Sequence, residues 1–341
     1  MMGVTIKDIA DEAGVSPTTV SRVLNDKPDV SAKTKKKVQK VIDRCDYNPN
    51  SIARGLVLNK SYTLGLVIPD ISNPFFPEVA KGIEDKAKAA GYSVIFCNTD
   101  NHTRGEKKAL ELMKSKQVDG MIVSLAINEE NEDELAELAE DNFPVVQIDR
   151  KIPEADFPAV VIDNQAAAYK AVKYLIELGH QKIAHISGDL AVKTSQDRLT
   201  GFKQILVERN LTVPAEWIRE GDYSSQSGYE EMKELLKLEP RPTAVFIAND
   251  LMALGAYEAV FEAGLEIPED ISIVGYDDID VASVIRPALT TISQPEYELG
   301  IAAVEMLLKN LEDGQSLARA DRILAAELVE RDSTQELVEE I

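Results

Sequence analysis

Asn73, Phe75 and Phe76 stand close together in the segment Asp70-Ile71-Ser72-Asn73-Pro74-Phe75-Phe76. An amide beside two phenyl rings is chemistry suited to a polyhydroxylated ring. The aromatic faces cover its C–H surface, and amide or charged groups fork onto neighbouring hydroxyls. More groups of this kind recur further along. Asp149-Arg150 follows the apolar run Val145-Val146-Gln147-Ile148. Arg198 follows the polar stretch Lys193-Thr194-Ser195-Gln196-Asp197, read as a loop. Asn249-Asp250 follows Ala244-Val245-Phe246-Ile247, and Asp277 follows Ile273-Val274-Gly275-Tyr276. Gln294 lies in Thr290-Thr291-Ile292-Ser293-Gln294-Pro295, read as a crossover strand. Taken singly, each of these is a cap or a surface charge. As a set at successive strand ends of one fold, they form a polar ring around a small ligand. Two Arg–Asp sets suit vicinal hydroxyls better than the edge of a purine base.

The same inventory argues against catalysis. No glycine-rich phosphate loop of the nucleotide-binding kind occurs. His102, His180 and His185 have no nucleophile or metal-spaced partner nearby in sequence. Gly179-His180 reads as a helix end, where histidine suits the dipole, and His185 lies in an apolar strand. Asp277 and Asp278 are adjacent on one loop, where two carboxylates rarely converge on one bond. The two cysteines, Cys45 and Cys97, make neither a disulfide framework nor a zinc cluster. The expectation is therefore no catalytic residue, no metal and no cofactor.

These side chains must be positioned by a repeating scaffold. From Tyr62 onward, short apolar runs alternate with helical stretches. Strands are expected at 64–68, 93–96, 120–123, 145–148, 183–186, 244–247 and 271–274. Helices are expected at 77–90, 107–116, 135–141, 167–178, 198–209, 228–236 and 251–263. Continuous apolar runs suit strands covered on both faces. Strand–helix alternation implies parallel sheets with right-handed crossovers. The alternation starts afresh near residue 163, which implies two subdomains with a cleft facing the strand ends.

Residues 4–46 follow a different pattern, that of three short helices. Thr5 with Asp8 reads as a capping box, Ser16-Pro17 as a second helix start, and Ser31 as a third. Ala10 is small enough for a close helix crossing, Gly14 suits a left-handed turn, and Val15, Val20 and Val23 face inward. That is a helix-turn-helix. Thr18, Thr19, Ser21 and Arg22 then lie on the outer face of the second helix, which is the reader of a major groove. Arg22 suits a forked contact to guanine. Asn25, Lys33, Lys35 and Lys36 suit phosphates.

Charge follows the same division. The 341 residues carry 37 Lys/Arg and 59 Asp/Glu, a net of −22, with 44% hydrophobic residues. Residues 1–61 are net +4 and the remainder is net −26. A basic head on an acidic body implies a head that meets an anion and a body that does not. The start shows no apolar export core, and no apolar run reaches the roughly 18 residues of a membrane helix. A soluble, cytoplasmic protein is expected.

The run Thr5-Ile6-Lys7-Asp8-Ile9-Ala10, followed by Ala13-Gly14-Val15-Ser16-Pro17-Thr18-Thr19-Val20-Ser21-Arg22-Val23-Leu24-Asn25, resembles the opening of the LacI/GalR family of bacterial repressors. Tyr47-Asn48-Pro49-Asn50-Ser51-Ile52-Ala53-Arg54-Gly55-Leu56 resembles that family's hinge helix. The resemblance implies an α/β protein with three parts. These are an all-α helix-turn-helix head at 1–48, a hinge at 49–61, and a periplasmic-binding-protein-like core at 62–341. The core would divide into subdomains at 62–162 plus 294–322 and 163–293 plus 323–341. DNA contacts are implied for Thr5, Ser16, Thr18, Thr19, Ser21, Arg22, Asn25, Ser31, Asn50, Arg54 and Leu56. Leu56 would wedge into the minor groove at the operator centre, an insertion that unstacks a base step. Ribose-binding relatives imply an effector set of Asn73, Phe75, Phe76, Asp149, Arg150, Arg198, Tyr223, Asn249, Asp277 and Gln294. Tyr223 stands where phenylalanine is the pattern, so its hydroxyl would shift the preference among sugars. The implied partners are double-stranded operator DNA, a small sugar with ribose first, and a second copy of the chain. Operator binding would weaken when sugar binds. A global regulator of the same family, controlled by a phosphoprotein or a sugar phosphate, is the alternative. A periplasmic transport protein is opposed by the head and by the lack of a signal peptide.

Overall fold

The computed structural model describes residues 4–24, 28–45, 60–125, 131–152, 155–313 and 320–337. These fall into two compact units, one ending at Tyr62 and one beginning at Thr63.

The first unit holds α1 (Ile6–Ala13), α2 (Pro17–Leu24) and α3 (Ala32–Arg44). Each start follows from local chemistry. Thr5 and Asp8 form the reciprocal box, with the Thr5 N–H donating to the Asp8 carboxylate at 2.8 Å. The Ser16 hydroxyl accepts from the Thr19 N–H at 3.1 Å, and the Ser31 hydroxyl from the Thr34 N–H at 3.2 Å. Gly14 ends α1 at φ 58°, a left-handed position that costs glycine nothing. Ile9, Ala10, Ala13, Val20, Val38, Val41 and Ile42 make the core, with Val15 and Val23 packed against it.

The second unit contains two six-stranded sheets. The first comprises β1 (Thr63–Ile68), β2 (Ser93–Asn98), β3 (Gly120–Val123), β4 (Val145–Ile148), β5 (Ala159–Ile162) and β11 (Arg322–Leu324), in the order β11-β5-β4-β3-β1-β2. The second comprises β6 (Ile183–Ser187), β7 (Ile218–Glu220), β8 (Ala244–Ile247), β9 (Ser272–Asp277), β10 (Thr290–Ser293) and β12 (Glu327–Val329), in the order β12-β10-β9-β8-β6-β7. Every pairing is parallel except β10 with β12. Helices α4 (Phe75–Ala89), α5 (Thr103–Ser115) and α6 (Glu132–Glu140) belong with the first sheet. Helices α7 (Asn164–Glu177), α8 (Lys193–Glu208), α9 (Ser225–Leu236), α10 (Asp250–Glu262) and α11 (Asp280–Val284) belong with the second. Helix α12 (Glu296–Asp313) returns to pack on α4 and the first sheet. The chain thus crosses between the sheets after β5, after β10 and after β11. With helices on the faces, the central strands are buried throughout, as their apolar runs require.

Several sequence expectations need correction. Residues 193–197 are the first turn and more of α8, not a loop before it. Residues 290–293 are a regular strand of the second sheet, and the crossing comes just after, at Gln294-Pro295. Strand β9 runs on to Asp277, so this residue ends the strand instead of following it. Strand β11 keeps Ile323 and Leu324 in the first sheet, so the last crossing lies beyond the expected boundary at 322. Strands β5, β7, β11 and β12 are additions to the expected set. The hinge at 49–61 lies almost wholly outside the described residues, as do Asn25, Asn50, Arg54 and Leu56.

Candidate functional site

A narrow cavity of about 40 Å³ opens between the two sheets of the second unit, at the carboxyl ends of their strands. Asp70, Asn73, Phe75, Phe76, Asn101, Asp149 and Arg150 line it from the first sheet's side. Thr194, Arg198, Tyr223 and Asp277 line it from the second, and Gln294 from the crossing after β10.

On the first side, the β1–α4 turn is built from polar side chains. Asp70 accepts from the Ser72 N–H and hydroxyl at 2.8 and 2.7 Å, and Asn73 accepts from the Phe75 N–H at 3.1 Å. Helix α4 then starts with Phe75 and Phe76 buried, their rings edge-to-face at 5.0 Å. Asp149 leaves β4 with φ 59°, so the chain turns and Arg150 points into the cavity wall. Arg150 donates to the Asn101 side chain at 3.2 Å, while its buried Nε has no hydrogen-bond partner among the described residues. The Asp149 carboxylate lies 3.8 Å from that Nε. Burial pushes the Asp149 carboxyl up, opposed by the charges of Arg150 and Arg198.

On the second side, Arg198 is 3% exposed and held on three sides. Its Nε donates to the Asn164 side chain at 2.8 Å, an Nη donates to the Ala248 carbonyl, and the guanidinium lies 3.6 Å from the centre of the Tyr276 ring. The Tyr276 hydroxyl donates to the same Asn164 oxygen at 2.9 Å. The Tyr223 ring lies flat against Gly188, where a Cβ would come within 2.2 Å of it. Its hydroxyl pairs with Ser195 at 2.5 Å and Thr194 at 3.3 Å. That hydroxyl is thus engaged by α8, and the ring is what Tyr223 offers. The expected shift of preference through the hydroxyl has no support in this geometry.

Asp277 accepts from the Gln294 amide at 2.7 Å, and the Gln294 N–H donates to the Asp277 carbonyl at 3.2 Å. The Gln294 Oε1 is buried without a partner among the described residues. Burial holds the Asp277 carboxyl well above its ordinary value, with Arg198 opposing. Buried polar atoms are normally paired, so the Arg150 Nε and Gln294 Oε1 are the two orphaned atoms among the described residues that line this cavity.

Asn249 corrects the expected set. Its carbonyl oxygen caps α10 by accepting from the Met252 N–H at 2.9 Å, and its amide donates to the Tyr223 carbonyl at 3.0 Å. Both ends are engaged, and Asn249 does not line the cavity. The others of that set do. Asp70, Asn101 and Thr194 join the lining from outside that set. Asp70 lies in the same segment as Asn73, Thr194 lies in a polar stretch that looks like loop, and Asn101 sits in an Asp-Asn turn with φ 54° that carries only a turn signal.

In the head, Thr18 is exposed on α2, and Thr19 pairs with the Ser16 hydroxyl at 2.9 Å. Ser21 is half-buried. Arg22 is exposed and ion-paired with Asp29. Thr5, Ser16 and Ser31 serve as helix caps. His185 stacks between Phe202 and Phe246 at 5.1 and 4.9 Å, and burial lowers its pKa to about 4, so it is a neutral core residue. Among the described residues no group of His, Cys, Asp and Glu could hold a metal, and no helix is long and apolar enough to cross a membrane.

Residues 61–328 match the profile of periplasmic binding proteins and the sugar-binding domain of the LacI family. Residues 5–50 match that of bacterial regulatory proteins of the lacI family. The chain belongs to the LacI family. Catabolite control protein A of Priestia megaterium is 42% identical over 90% of this chain and 92% of its own. The repressor PurR of Yersinia pestis is 41% identical over 92% of this chain and 93% of its own. The lac repressor dimer bound to operator and the anti-inducer ONPF superposes with a TM-score of 0.88 at 33% identity, covering 98% of this chain and all of that one. A LacI-family regulator from Enterococcus faecium with bound ribose superposes at 0.73 and 34% identity, covering 81% of this chain and all of that one. The LacI-family relatives are transcriptional regulators, not enzymes. This LacI-family chain is a DNA-binding transcriptional repressor with an effector-binding core. Neither of these two relatives is named as a ribose repressor.

Proposed function

We propose that this chain is a homodimeric repressor of a sugar-utilisation operon, working in the cytoplasm, whose operator affinity is set by ribose held between the two sheets. The observation that carries this reading is the ring of Asp149, Arg150, Arg198, Asp277 and Gln294 beside Phe75 and Phe76. Two guanidinium groups, Arg150 and Arg198, face three carboxyl groups, Asp70, Asp149 and Asp277, a lining without excess positive charge that suits a neutral polyol and disfavours a phosphate. Carboxylate and guanidinium forks pair with vicinal hydroxyls, and the phenyl rings cover the opposite face. The ribose-bound neighbour supports the choice of sugar.

In the head, α2 is the groove reader, with Thr18, Thr19, Ser21 and Arg22 toward the bases. Thr5, Ser16 and Ser31 would present phosphate contacts from the helix starts, where N–H groups favour an anion. Asn25, Asn50, Arg54 and the wedge Leu56 complete the interface. A single head reads few base pairs, so a two-fold dimer on a near-palindromic operator supplies the specificity, as in the lac repressor dimer. Sugar closes the cleft and favours the state with lower operator affinity.

A second reading is a global regulator answering to a phosphoprotein or a sugar phosphate. The likeness to a catabolite control protein favours it. Calorimetric titration with ribose, other pentoses, hexoses, sugar phosphates and purines separates the readings. Micromolar binding of ribose, lost in Arg198→Ala, is the expected result. Binding of a sugar phosphate or purine instead, or silence across the panel, would overturn it.

A further inference from the structure

Asp250 is fully buried and does not line the cavity, yet it is built into the turn that does. One of its carboxylate oxygens accepts from the Asp278 N–H at 2.8 Å and the Ile279 N–H at 3.1 Å. The other accepts from the Thr291 hydroxyl at 2.7 Å. The turn it grips has left-handed backbone at both Asp277, φ 119°, and Asp278, φ 69°. Side chains other than glycine adopt such angles only where the surroundings impose them. The approach of Asp250 depends on Gly275, because a Cβ there would stand 2.2 Å from the carboxylate. From the far side Arg331 pairs with the Asp278 carboxylate at 2.6 Å and donates to the Leu289 carbonyl at 2.8 Å. The single side chain that emerges from this clamp into the cavity is Asp277, which Gln294 then meets.

We propose that Asp250 is a positioning residue for ligand recognition: it fixes the backbone of residues 277–279 so that the Asp277 carboxylate faces the ligand, and it acts through Asp277 without touching the ligand itself. The inference rests on the sugar reading above for the identity of the ligand. It assigns a role to Asp250 that the cavity lining alone does not reveal. It also separates the adjacent pair Asn249 and Asp250: the first tethers Tyr223, the second sets Asp277.

The test is a double-mutant cycle read by calorimetric titration of the full chain with ribose. Asp250→Ala should weaken ribose binding about tenfold, about 1.4 kcal/mol. Asp250→Asn should restore it to within about threefold, because the amide keeps an acceptor for both N–H groups and can donate to Thr291. In an Asp277→Ala background, Asp250→Ala should change nothing further. Unchanged affinity in Asp250→Ala, or an equal loss in both backgrounds, would overturn the proposal. Should Asp250→Ala fail to fold, Thr291→Val removes one partner at nearly constant volume. A drop of about threefold is expected there, and unchanged affinity counts against the clamp. If the unmodified chain is silent toward ribose, the sugar reading fails on its own. The clamp is then judged by a crystal structure of Asp250→Asn beside that of Asp250→Ala. Asp277 should keep its left-handed backbone in the first and lose it in the second, and no difference would overturn the proposal.

Discussion

At the scale of single residues, the cleft reads as charge held in fixed directions. Arg198 is fastened by Asn164, the Ala248 carbonyl and the Tyr276 ring, so it cannot adjust to a poor ligand. Arg198→Ala should therefore cost about 100-fold in ribose affinity, in the range of a charge-assisted pair left unmade, as read by calorimetry. Tyr223→Phe should keep affinity within about threefold, because the hydroxyl serves α8 and the ring serves the cavity. A larger loss would return the hydroxyl to the ligand. Asp250 also carries a pH signature. Burial pushes its carboxyl up to about 7, with hydrogen bonds from Thr291 and the turn opposing and Asp278 adding to the rise. An unfolded Asp titrates near 4. The folded state thus holds a proton that the unfolded chain has lost. Its stabilising contribution is full below about pH 4 and is lost as pH rises through 7. Compared with Asp250→Asn, the unmodified chain should lose thermal stability between about pH 4 and 7. Parallel curves for the two proteins would contradict the assignment.

At the scale of elements, legibility tracked how much each element depends on its own sequence. Helices α1, α2 and α3 declare themselves through Thr5, Ser16-Pro17 and Ser31, because caps act within a few residues. The strand ends bearing Asp149 and Asp277 were visible because buried parallel strands are continuous apolar runs. Strands β7, β11 and β12 have only three residues each and exist because neighbouring strands pair with them, so no local pattern marks them. The start of α8 carries no apolar pattern, because residues 193–197 are polar in type. In the fold Thr194 and Ser195 are buried and face Tyr223. Asn249 shows a related ambiguity: a strand-end amide looks the same in sequence whether it caps a helix, as here, or meets a ligand. For the reading helix α2, Arg22→Ala should relax base preference at one position of each half-site. Lys35→Ala should weaken binding to all sequences alike and reduce the salt slope by about 1. A base-substitution series in anisotropy distinguishes them, and identical behaviour would contradict the groove assignment.

At the scale of the whole molecule, charge and topology divide the labour. The first 61 residues are net +4 and the rest is net −26, so attraction to DNA belongs to the head while the body repels it. Three crossings join the two sheets, after β5, β10 and β11, and ligand groups come from both sides of the cleft. A molecule that bridges both sides favours the closed arrangement by its differential affinity for it, and operator affinity changes by no more than that difference. The most direct measurement is a fluorescence-anisotropy titration of the full chain on an operator duplex selected from a random library, with and without ribose. The account predicts that saturating ribose weakens operator binding at least about tenfold, and that Arg198→Ala binds the same operator but ignores the sugar. Operator affinity unchanged by ribose in the unmodified chain would contradict it.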